Sequence, residues 1–197
     1  MSLRLFLAVD PEPRARRRIG AVQEALKGAA GRLHWKVAFP KADRLHITLK
    51  FLGQVEADRV ADLERCLLPI GSTDRFQICF EGVSAFPSPS RARILWLGVT
   101  EGAERLKSLA EQVDRYCAEL GFEPEQREFK PHLTLGRVKR APRSGPSVVE
   151  NVSPKEAGPS LVTEVTLYLS ELGPGGSTYT PLVRFPLRQP PTHDRKD

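Results

Sequence analysis

Apolar positions recur along the chain with two periods, and the switch between them predicts the elements. Arg4-Leu5-Phe6-Leu7-Ala8-Val9-Asp10 is a short apolar run that reads as a buried strand, stopped by Pro11-Glu12-Pro13. From Arg14 to about Gly28, Ile19, Val22, Gln23 and Leu26 fall at helical spacing, and Gly28 and Gly31 are expected to close that helix. Leu45 to Leu52 returns to strand, with its end expected at Gly53. The same order follows again: a strand over Arg93–Val99, a helix over Glu104–Leu120 with Leu106, Leu109, Val113, Tyr116, Cys117 and Leu120 as its stripe, and a strand within Phe129–Val138. Strand, helix and histidine-bearing strand thus occur twice at comparable spacing, which reads as an internal duplication of two lobes.

Further strands are expected at Phe76–Phe80, which alternates, at Val162–Leu169, and at Tyr179–Leu187, with Gly173-Pro174-Gly175-Gly176 as the turn between the last two. Arg140–Gly158 is rich in Pro, Ser and Gly and reads as a long surface loop. The expected organisation is one domain over residues 1–188 with a disordered tail at 189–197, which carries His193. The fold class that follows is α+β, bilobal, with mostly antiparallel sheets flanking a central cleft.

The duplication matters because of what the two histidine strands carry. Leu45-His46-Ile47-Thr48-Leu49 and Pro131-His132-Leu133-Thr134-Leu135 share one pattern. In a strand, residues i and i+2 point to one face, so His46 and Thr48 leave the core face to Leu45, Ile47 and Leu49. The second segment has the same parity. An imidazole and a hydroxyl on a shared face need partners or a purpose. One such strand reads most simply as a histidine hydrogen-bonded in a core. Two copies in matching contexts favour chemistry. Two imidazoles near neutrality divide acid and base roles, and two hydroxyls donate to phosphate oxygens.

These segments resemble the 2H phosphoesterase superfamily, and most of all its RNA 2′,3′-cyclic phosphodiesterases, historically called 2′-5′ RNA ligases. The likeness extends to Arg4–Asp10, Leu45–Gly53, Ala85-Phe86-Pro87-Ser88 with Ile94-Leu95-Trp96, Phe129–Arg137 and Leu172–Gly176. The resemblance implies a bilobal fold with its site between the lobes, and hydrolysis of RNA 2′,3′-cyclic phosphate ends to 2′-phosphate ends. It implies no metal and no cofactor, and a reversible 2′-5′ joining of RNA halves, tRNA halves among the candidates, in some members. It further implies that His46 is the proton donor, His132 the proton acceptor, and Thr48, Thr134 and Arg137 the phosphate holders. Strict alternation opposes the last assignment, since Arg137 lies five residues past His132 and needs a strand end or a bulge near Gly136 to face the phosphate. Lys50, by contrast, shares parity with His46 and either adds positive potential at the cleft or is merely solvated. Phe51 suits core packing better than a nucleobase. The rival readings are action on a smaller cyclic phosphate, and a non-catalytic module that binds RNA ends.

Composition narrows this little. The chain has 197 residues, 40% of them hydrophobic, and a net charge of +6. Basic character suits a polyanion partner. No apolar run approaches the roughly 20 residues of a membrane span. Cytoplasmic location and a monomer are the expectations, and Cys66, Cys79 and Cys117, too scattered for a disulfide framework, are expected to stay reduced. The Arg14–Arg18 run could follow an RNA backbone, but a solvated helix face is the plainer account. Likewise His34-Trp35 is more simply a loop anchor than a base stack. No zinc-protease spacing or P-loop is present.

Overall fold

The computed structural model describes residues 1–143, 145–152, 155–173 and 176–190. Its elements run β1 (Ser2–Val9), α1 (Pro13–Arg32), β2 (Lys36–Ala38), β3 (Ile47–Glu56), α2 (Val60–Leu67), β4 (Phe76–Phe86), β5 (Ile94–Val99), α3 (Ala103–Glu119), β6 (His132–Arg140), β7 (Glu156–Val162), β8 (Glu164–Gly173) and β9 (Gly176–Pro186). They form two antiparallel sheets, β3-β1-β8-β9 and β2-β6-β5-β4-β7. The α+β class with antiparallel sheets is as expected.

The helices do not cover the sheets that lead into them. The chain leaves the four-stranded sheet at β1, and α1 packs on β7 and β2 of the five-stranded one. It leaves the five-stranded sheet at β5, and α3 packs on β3 of the four-stranded one. One contiguous apolar core results, with Ile19, Val22 and Leu26 of α1, Leu106, Leu109 and Val113 of α3, and the inward leucines of both histidine strands all buried. Among the described residues, no helix is long and apolar enough to cross a membrane.

Several boundaries differ from the sequence reading. α1 runs through Gly28 and Gly31 to Arg32, because neither glycine is needed in a left-handed conformation there, and Leu33 caps the helix. β3 passes Gly53 and ends at Glu56. The stretch read as a surface loop from Arg140 to Gly158 buries Val148, Val149 and Val152 and joins β7 at Glu156. Its valines, not its prolines, decide where it lies. At the end of the expected domain, Arg188 bridges to Asp74 (2.6 Å) and exchanges backbone hydrogen bonds with Thr73 and Arg75, as a residue of the fold. The remainder of the expected tail from 191 onward, His193 included, lies outside the described residues.

Candidate active site

Both histidines are held in the same way. His46 directly precedes β3, and its Nδ1 lies 2.9 Å from the carbonyl of Arg44. His132 opens β6, and its Nδ1 lies 2.6 Å from the carbonyl of Lys130. A carbonyl only accepts, so each Nδ1 carries the proton and each Nε2 is left as the titrating nitrogen. Thr48 and Thr134 follow on the same faces, half-buried like the histidines, while Leu45, Ile47, Leu133 and Leu135 are buried behind them. The parity read from sequence therefore holds through the threonines. β3 and β6 touch one another, which brings the two arms side by side.

Beyond each threonine the alternation breaks at the same position. Ala8 pairs with Thr48 but Leu7 pairs with Lys50, so Leu49 is an extra residue in β3. Trp96 pairs with Thr134 but Leu95 pairs with Gly136, so Leu135 is an extra residue in β6. A bulge of one residue exchanges the faces of everything that follows it. Arg137, opposite Ile94, is thereby turned onto the face of Trp96, Thr134 and His132. Lys50 is turned away from His46. It is only 7% exposed, pairs with Asp114 and donates to the carbonyl of Glu123 (2.8 Å). Both alternatives for Lys50, cleft and solvent, are thus overturned, and so is core packing for Phe51. That residue is 65% exposed, lies opposite Phe6 on the His46 face, and its ring is 5.8 Å from that of Phe6. Phe51 and Arg137 are equivalent positions of the two repeats, five residues after each histidine.

The surroundings of the rings were not apparent in the sequence. Phe6 (4.9 Å) and Tyr179 (5.1 Å, edge-on) enclose His46, while Phe86 (5.0 Å, edge-on) and Trp96 (6.2 Å) enclose His132. Burial pushes both histidines below the ordinary value of 6.5. At His46 the Arg44 carbonyl and the charge of Asp10 oppose that shift, and the charges of Arg137 and Arg16 add to it. At His132 only the Lys130 carbonyl opposes it. Asp10 is itself anchored by Tyr168 Oη (2.5 Å) and Arg16 (3.5 Å), and burial together with that carboxylate holds the Tyr168 phenol above its usual range. Asp10 carried a weak signal: it ends the first strand on the parity of Phe6 and Ala8.

Other candidates fall outside this constellation. Arg14, Arg17 and Arg18 remain exposed, whereas Arg16 turns in to Asp10 and to the Ala42 carbonyl (3.1 Å). His34 is exposed and Trp35 packs on the core, as a loop anchor would. The cysteines are unpaired, and burial pushes the Cys117 thiol up to about 12, far from a reactive thiolate. No three His, Cys, Asp or Glu side chains converge as a metal site among the described residues.

The arrangement offers two imidazoles, two hydroxyls and one guanidinium on converging faces, with the exposed ring of Phe51 on the His46 face. Residues 9–174 match the model of the 2′-5′ RNA ligase superfamily. An RNA 2′,3′-cyclic phosphodiesterase of Methanothermobacter thermautotrophicus is 36% identical over 95% of this chain and 100% of its own length. The crystal structure of the Thermus thermophilus protein TT0787 superposes with a TM-score of 0.78 at 28% identity, covering 95% of this chain and 99% of that one. E. coli LigT in complex with 3′-AMP superposes at 0.71 with 28% identity, covering 96% and 100%.

Proposed function

The chain belongs to the 2′-5′ RNA ligase superfamily, and on that premise we propose that it hydrolyses 2′,3′-cyclic phosphate ends of RNA to 2′-phosphate ends. The observation that carries the proposal is the paired anchoring of His46 and His132, each with Nδ1–H committed to a carbonyl and Nε2 left to move protons. His132 Nε2 takes a proton as water attacks phosphorus. The bond from phosphorus to O3′ breaks, and protonated His46 delivers its Nε2 proton to the departing oxygen. In support of that division, Asp10 favours the charged ring at His46 against burial and the charges of Arg137 and Arg16, and among the described residues no carboxylate acts on His132. Thr48, Thr134 and Arg137 hold the non-bridging oxygens as charge grows on them. Phe51 offers its exposed face to the terminal base.

The same geometry, with a ribose 5′-hydroxyl in place of water, joins two RNA ends through a 2′-5′ linkage. Hydrolysis is the main reaction in this reading, since water competes at every turnover. The unpaired thiols suit a reducing compartment, and we assign the protein to the cytoplasm. The test is an oligonucleotide with a 2′,3′-cyclic phosphate end, incubated in EDTA, with the product phosphate located by NMR or by selective phosphatases. A 2′-phosphate is expected. Binding without turnover would make the protein an RNA-end-binding module instead. Turnover of cyclic mononucleotides alone would reassign the substrate.

A further inference from the structure

One polar side chain interrupts the buried face of α1. Ala15, Ile19, Val22 and Leu26 fill that face with apolar surface, yet Gln23 sits among them at 4% exposure. A buried amide is unfavourable unless its donors are used. Gln23 Nε2 donates to the carbonyl of Leu135 at 3.0 Å and to the carbonyl of Pro40 at 3.2 Å.

Those acceptors belong to the two different arms of the site. Leu135 is the extra residue of the β6 bulge, the one that turns Arg137 to the side of His132. Pro40 begins the segment that delivers His46. Along that segment Ala42 accepts from Arg16 and Arg44 accepts from His46 Nδ1. The other bulge, at Leu49, is followed by Lys50, which is clamped by Asp114 of α3. Each helix thus sends one polar side chain to the bulged histidine strand of the sheet it covers. Each also reaches the segment that leads to the opposite histidine: Asp114 accepts from the Glu125 N–H (3.1 Å) ahead of His132, and Gln23 donates to Pro40 ahead of His46.

We infer that Gln23 is a positioning residue, a single amide that fixes the bulge presenting Arg137 against the segment presenting His46. The inference rests on the reading of both as parts of the phosphodiesterase site. A glutamine that merely filled the core would lower stability when replaced and would act independently of Arg137. One that positions Arg137 loses most of its effect once Arg137 is gone.

The experiment is a double-mutant cycle of Gln23→Met and Arg137→Ala on a cyclic-ended oligonucleotide, with melting temperatures measured alongside. Methionine keeps the length and the burial but supplies no donor. Alone, Gln23→Met is expected to lower kcat by about 10- to 100-fold, the range for a reacting group displaced by about 1 Å, with a much smaller change in KM. In the Arg137→Ala background the same substitution is expected to lower kcat no more than a few-fold. Gln23→Asn, too short for both carbonyls, replaces the methionine variant in the cycle should that variant melt below the assay temperature. Equal losses in both backgrounds, or full activity without the amide, would overturn the inference and leave the proposed function standing. A wild-type chain without turnover would overturn the function and the inference together.

Discussion

At the scale of single residues, the proposed reaction depends on protonation. Burial lowers the pKa of both His46 and His132. The proposed reaction needs a neutral base and a charged acid, so kcat/KM should trace a bell whose centre lies on the acid side of 6.5. Substitution of either histidine by alanine should abolish turnover while the circular dichroism spectrum stays that of the wild type. The same shifts act on stability. The unfolded chain takes up these protons first as the pH falls below about 6.5, so native stability should decline from there downward, and melting temperature against pH measures it. Arg137 has a signature of its own. Its charge holds the His46 pKa down, so Arg137→Ala should move the His46 titration upward in an NMR pH series while weakening phosphate binding. Arg137→Lys should preserve the titration but not the two-pronged grip on phosphate that the proposed function gives the guanidinium. An unmoved His46 resonance would separate Arg137 from the site.

At the scale of elements, the two bulges determine which side chains the strands present. Alternation from His46 assigns Lys50 to the cleft and Arg137 to the far face, and one extra residue in each strand reverses both. Nothing in Leu49 or Leu135 marks them as extra, because a bulge is set by how a strand pairs, not by the residue that carries it. The structure nonetheless shows what each bulge depends on. Gly136 lies beneath β2, where an added Cβ would come within 2.8 Å of Val37 Cγ1 and 3.2 Å of Phe39 Cδ1. Gly136→Val should therefore displace β2, and with it the bulge and Arg137, so that kcat falls more than thermal stability. On the other side, Lys50→Met leaves Asp114, already partly solvated, without its cation. It should cost roughly 1–3 kcal/mol in denaturant melts, less than the loss of a fully buried partner. Replacing Asp114 as well, by leucine, should recover part of that loss. If Lys50→Met melts like the wild type, the clamp contributes nothing.

At the scale of the whole molecule, the exchange of helices between sheets makes the two repeats interdependent. α1 buries its apolar face on strands encoded near the other end of the chain, and α3 buries its own on β3. A fragment ending before β4 would expose the faces of α1 and of its own sheet together. It should lack the dispersed amide NMR spectrum of a folded domain, and an ordered fragment would contradict this account. The exchange also explains why the arms can be held so closely. Both α1 and α3 bridge from their own repeat to the histidine strand of the other.

The sequence alone determined what is local. Two His-x-Thr segments, their parity and their apolar backing follow from a two-residue period, and the repetition of strand, helix and strand follows from the switch between strand and helix periods along the chain. The partition into loops was less secure, since Gly28, Gly31 and Gly53 break elements only where the backbone requires a break, and the valines at 148, 149 and 152 found a core that no local pattern specifies. Only the tertiary structure decided which residues beyond the threonines share the faces of the two histidines. A strand's register is fixed by its neighbours, and in β3 and β6 those neighbours come from distant parts of the chain. The burial that lowers both histidines, the Asp10–Tyr168 contact and the bond from Gln23 to Leu135 all arise between segments that meet only after folding.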